Sequence, residues 1–347
     1  MKSLTHWVPI LAGAASLLIA ATGAHGQGAE MQRDAATAPT TSTIQLRSAD
    51  PRRSLLNAAR TYTAYHEEVD WAGRREIAAA EDLEATMDGL AAFYGEGVLA
   101  DAQIAYAALV ASQHPEFVDA VRAVADFYGI DVAREGLMTD TVFVTGFAGA
   151  RDAVRSVGAA LNADADELHE VADRYRLAAY NLQNESWARQ RMRDRADRLA
   201  TLESASNRLQ VNFPGGDPAS LRAQSDLGAG RLGSAAALFG EGVADAPAGP
   251  MTAPDLTLLV GDAQLRPDER RIGRILTVAA LQAIEQRDDR AIAELLEDPA
   301  AQRCIAWARL DLAQCVAAGQ FTYEDSFCIA EHALDDIATC LSVMRSE

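Results

Sequence analysis

All four cysteines of the 347-residue chain lie between Cys304 and Cys340, and no other feature limits its fold as tightly. Ten residues separate Cys304 from Cys315, and eleven separate Cys328 from Cys340. The stretch 300–318 reads as a helix, with Ile305, Trp307, Leu310, Leu312 and Val316 as its apolar surface and Gly319 at its C-terminal cap. A second helix is expected over 327–344, N-capped by Asp325 or Ser326 and carrying Ile329, Ala333, Leu334, Ile337, Ala338 and Leu341. Cysteines eleven or twelve positions apart on one helix stand roughly 16 to 18 Å apart along its axis. That is far beyond the reach of a disulfide, so the bridges must join the two helices.

Pairing Cys315 with Cys328 inside and Cys304 with Cys340 outside satisfies one antiparallel register, whereas crossed pairing would need two. Nested disulfides are therefore expected. One difficulty accompanies them. At about 100° per residue, Cys304 and Cys315 share a face, but Cys328 and Cys340 fall about 120° apart. Either Cys328 sits in a first turn that can adjust, or the helices cross. The competing readings are four reduced core cysteines and a metal site, and short Cys-x-x-Cys spacings are absent. The layout resembles twin-cysteine helical hairpins in general, with spacings that depart from those of the mitochondrial family.

Residues 1–26 have the parts of a signal peptide: Lys2, the sole lysine; an apolar core over 8–21; and a small-x-small site at Ala24-His25-Gly26. A retained anchor is the alternative, but the apolar run is short for a membrane span. Export would place the chain in an oxidising space where disulfides persist, so a periplasmic or secreted location is expected. No later stretch reaches eighteen uninterrupted apolar residues, so no transmembrane segment is expected after cleavage. Residues 27–50 are too poor in large apolar groups to offset their ordering entropy and read as a disordered tether.

Helical signals are dense from Pro51 onward. A helix opened by Asp50-Pro51 places Leu55, Leu56, Ala59, Tyr62 and Tyr65 at helical spacing. Others follow over 81–94, 102–112, 115–128 and 150–161, while 141–145 reads as a loop or short strand. The longest helix is expected over 166–209, capped by Asn162 or Asp164, with a near-heptad seam interrupted at Glu185 and Arg189. Tyr180 and Trp187 lie off that seam and argue for a bundle member. Gly/Pro-rich breaks at 211–220 and 244–254 frame an Ala/Gly-rich stretch of weak pattern; helices resume at 268–286 and 289–296. The expected architecture is all-α. It comprises a signal peptide (1–26), a tether (27–50), a helical bundle with one long central helix (51–210), a Gly/Pro/Ala-rich linker region (211–254), and a C-terminal helical domain (255–347). The last ends in a disulfide-stapled antiparallel hairpin.

Motifs that could carry chemistry fail on their context. Residues 228–233 spell a dinucleotide fingerprint, but 224–227 are no strand. His66/Asp70, His169/Asp173 and His332/Asp336 stand at i, i+4, so each pair shares a helical face and could share a metal. A competent site requires a third ligand from elsewhere, and among 50 acidic residues such pairs arise as surface contacts. The run His66 to Asp70 ends in aspartate and misses the HExxH pattern. Ser234 lacks the glycines of a nucleophile elbow, and bridged cysteines supply no thiol. Paired carboxylates of the glycosidase kind leave a peptidoglycan-acting hydrolase of helical fold as the alternative, with Glu81, Glu185 and Glu203 as placeholders. No catalytic, cofactor-binding or metal residue is assigned. The assigned site residues are the disulfide cysteines Cys304, Cys315, Cys328 and Cys340.

Two arginine groups remain: Arg189, Arg191, Arg193, Arg195 and Arg198, then Arg266, Arg270, Arg271 and Arg274. The formal charge is -19, one unit more negative without Lys2. That argues against a nucleic-acid partner and reads the arginines as salt-bridged helix faces. A glycosylation sequon at Asn184 is discounted as mid-helix. The functional expectation is an exported bacterial envelope protein, a non-enzymatic binding or scaffolding module acting through helical surfaces, with an envelope protein or cell-wall polymer as partner and no cofactor. A closed bundle with an exposed apolar groove would favour binding; a deep cleft holding an isolated glutamate among aromatics would favour the hydrolase.

Overall fold

In the computed structural model, the described residues are 51–95, 97–192, 195–206, 218–229, 231–239, 267–284 and 289–342. The signal peptide, the tether and most of the linker region lie outside them. The helices are α1 Pro51–Arg74, α2 Ala80–Ala91, α3 Val98–Ala111, α4 Pro115–Tyr128, α5 Ile130–Thr139, α6 Ala150–Leu182, α7 Arg195–Ala205, α8 Pro218–Ala229, α9 Ala236–Phe239, α10 Pro267–Ala283, α11 Asp289–Leu296 and α12 Pro299–Ala318. After them α13 Tyr323–Cys328, a π-helical segment Ile329–Asp335 and α14 Asp336–Leu341 follow one another without a break. The fold is all-α, and no β-strand occurs among the described residues. The stretch 141–145 forms a loop leading through a short 3-10 turn, Phe143–Gly146.

A helix that is apolar nearly all round has to be buried, and 98–111 (VLADAQIAYAALVA) is such a helix. From Leu99 to Ala111 almost every residue of α3 is buried, and α1, α6 and α10 pack around it. The tyrosines of α1 follow the same logic. Tyr62 and Tyr65 are fully buried, and Tyr62 stacks obliquely on Tyr106 of α3 with ring centres 5.1 Å apart. Residues from both the expected bundle and the expected C-terminal part contribute to one apolar core. Within the Ala/Gly-rich stretch, α8 and α9 pack against α1.

The long central helix is α6, placed earlier in the chain than its sequence pattern suggests. It runs from Ala150 through Asn162 and Asp164 without a break and stops at Leu182, not near residue 209. Asp164 does not cap because its buried carboxylate is engaged by tertiary donors: Tyr62 Oη at 3.1 Å, Ser234 Oγ at 2.6 Å and the Ala236 amide at 2.9 Å. The helix ends early because the backbone that follows bonds another segment. Tyr323 N donates to Ala188 O (3.0 Å), Thr322 N to Gln190 O (3.3 Å) and Met192 N to Gln320 O (2.9 Å). The sequon at Asn184 therefore sits in an exposed turn, not mid-helix. At the other end Gly149 adopts φ 73°, and a Cβ there would lie 2.5 Å from the Phe117 amide nitrogen. Glycine lets the start of α4 cross the start of α6.

Candidate functional site

The antiparallel hairpin of α12 and the helix 323–341 carries both disulfides in the nested register. Cys304–Cys340 spans 5.5 Å between Cα atoms and Cys315–Cys328 spans 5.7 Å. Asp298 caps α12 by accepting from the amides of Ala300 and Ala301. The second arm begins at Tyr323, earlier than Asp325 or Ser326 would allow as caps. Thr322 is the N-cap residue without a side-chain cap bond, and the Glu324 carboxylate accepts from the amides of Gln320 and Phe321 in the turn ahead of it. Asp325 and Ser326 are buried instead, Asp325 against the Arg198 guanidinium and Ser326 donating to the Tyr175 carbonyl at 2.7 Å.

The phase mismatch between Cys328 and Cys340 is resolved between them. Ile329–Asp335 is π-helical. A π turn closes i→i+5 bonds and so holds one residue more than an α turn. The twelve positions from Cys328 to Cys340 then advance the helix as eleven would, leaving about 20° of the mismatch at roughly 100° per residue. The Tyr94 hydroxyl donates to the Ala333 carbonyl inside this segment, and Gln103 Nε2 donates to Leu341 O at 2.7 Å. The bulge is therefore held by groups from the bundle.

Beside the inner bridge lies a surface depression of about 330 Å³, lined by Tyr180, Gln183, Tyr323, Phe327 and the Cys315–Cys328 bridge. Two of its aromatic side chains stand in solvent, Tyr180 65% exposed and Phe327 44% exposed. Tyr180, off the seam by sequence, thus faces solvent. The corner between α4 and α5 exposes a second apolar group, Phe127, Tyr128, Ile130 and Val132. A larger depression of about 400 Å³ runs between Tyr94, Leu202, Gln302 and Leu310.

The three His/Asp pairs have different fates. His66 Nδ1 lies 2.9 Å from Glu167, and Asp70 pairs with Arg74. His66 is fully buried and its Nε2 has no hydrogen-bond partner. Burial pushes its pKa down, yet the charge of Asp164 and the hydrogen bond and charge of Glu167 outweigh that, and the net direction is upward. His169 Nδ1 lies 2.6 Å from Asp335, while Asp173 pairs with Arg176. His332 does meet Asp336, at 2.8 Å.

Among the placeholder glutamates, Glu81 and Glu185 are exposed, and Glu203 stands exposed at the edge of the larger depression. Residues 224–227 ahead of the glycine motif belong to α8. The arginine groups divide. Arg189, Arg191, Arg195 and Arg270 are exposed, Arg198 holds Asp325, and Arg271 is buried 2.5 Å from Asp298. Arg193 and Arg266 lie outside the described residues. No helix among the described residues is long and apolar enough to cross a membrane. No protein-family model, no curated protein and no solved structure matches the chain.

Proposed function

We propose that the protein is an exported bacterial envelope protein, periplasmic or secreted, that binds a partner through its helical surface beside the inner disulfide. The observation that carries this reading is the depression lined by Tyr180, Tyr323 and Phe327, where Tyr180 and Phe327 are large aromatics left in solvent at a concave site. Large aromatics that can be desolvated in a concave surface dominate binding energy at interfaces. The Cys315–Cys328 bridge fixes one wall of the site, so little ordering entropy is lost on binding. The partner is an envelope protein or a cell-wall polymer. Disulfides across the hairpin and the features of residues 1–26 support the oxidising location.

The test is capture from an envelope fraction, and in parallel binding to purified cell-wall polymer, by the wild-type chain and by Y180D/F327D. The double variant should bind at least about tenfold more weakly, a loss of roughly 1.4 kcal/mol or more, with unchanged circular dichroism. Equal binding by both chains would overturn the site. Release of soluble fragments from cell-wall sacculi would favour the hydrolase.

A further inference from the structure

Four residues along each arm from the Cys315–Cys328 bridge stand Asp311 on α12 and His332 in the π segment; Asp336 lies four further on. His332 Nδ1 is 2.8 Å from Asp336 Oδ2, and one ligand atom from each of Asp311, His332 and Asp336 lies within 4.8 Å of the other two. A His/Asp pair at i, i+4 is by itself an ordinary helix-surface contact. Here the third group arrives from the opposite arm, and two covalent bridges hold the arms together on either side of it.

The surrounding carboxylates are already occupied. Arg176 holds Asp173 and Glu331, and His169 meets Asp335. No arginine among the described residues pairs with Asp311 or Asp336. All three side chains are half-buried, open to an ion from solvent and partly shielded from it.

We propose that Asp311, His332 and Asp336 bind a zinc ion. One imidazole nitrogen and two carboxylate oxygens suit zinc, whose bonds to them are about 2.0 to 2.2 Å long. Calcium and magnesium are disfavoured, since they seek six or more oxygen ligands. Three protein ligands leave a fourth position for water, the arrangement of a zinc site that stays open to exogenous groups. This inference is independent of the apolar depression and its partner.

The test is calorimetric titration of the oxidised, chelator-stripped chain with zinc chloride. One equivalent should bind saturably. H332A and D311N should each weaken that binding at least about tenfold, since even outer-shell changes at metal sites cost 10- to 100-fold. H169Q, which alters the neighbouring histidine outside the triad, should leave it unchanged. Circular dichroism and thiol titration on each variant establish that it is folded and bridged; if H332A is not, D311N decides. No saturable uptake by the wild-type chain, or uptake insensitive to a folded variant of the triad, overturns the proposal.

Discussion

His66 is a buried imidazole bonded to Glu167 at 2.9 Å, and the charge of Asp164 also raises its proton affinity. An imidazole whose folded pKa lies above its unfolded value of about 6.5 stabilises the fold fully below that value. The contribution fades as pH rises through the folded pKa. The melting temperature of the wild type should therefore exceed that of H66Q most near about pH 6, and the gap should shrink toward about pH 8.5. A gap constant across that range would show that the imidazole does not change charge on folding. Arg271 offers a second test. It is 2.5 Å from buried Asp298 and also donates to the Cys340 carbonyl at 3.4 Å and the Ser342 carbonyl at 3.2 Å. R271A removes the charge partner of that carboxylate, which keeps only the Ala300 and Ala301 amides, and should cost on the order of 2–3 kcal/mol in urea unfolding.

Among the elements, the π segment carries the sharpest consequence. If its extra residue sets the phase of Cys340, deleting Glu331 should convert it to α-helix and turn Cys340 by about 100°. The expected result is two titratable thiols or mixed disulfides at Cys304 and Cys340, with the inner bridge intact. The need for such a device was legible in the sequence as the mismatch between Cys328 and Cys340; its form was not, because a π turn has no distinctive residues. The nested register was legible, since it rests on spacing alone. That register also sets Asp311 opposite His332, a third ligand visible by counting from the inner bridge on both arms. What periodicity could not reach were the ends of α6. They are fixed by partners distant in sequence, Ser234 at Asp164 and the hairpin turn at 188–192. The burial of α3 had a signal in its unbroken apolar composition, which an argument from stripes overlooks.

For the molecule as a whole, the two bridges differ in the chain they enclose, with sequence separations of 36 and 13. Chain-entropy arguments assign about 4 kcal/mol to the longer loop and about 3 kcal/mol to the shorter. C304S/C340S should therefore destabilise the protein slightly more than C315S/C328S in denaturant unfolding. The helix 323–341 also packs along α6 and buries Ile329, Ala333, Leu334, Ile337 and Leu341. Everything it covers precedes it in the chain. A polypeptide emerging N-terminus first thus keeps the flank of α6 bare until residues 323–341 have been synthesised. Translation arrested at residue 322 should leave a nascent chain that protease cuts more readily along α6 than it cuts the completed one. In a chain with this order of assembly, closure of that flank waits on its latest-made helix.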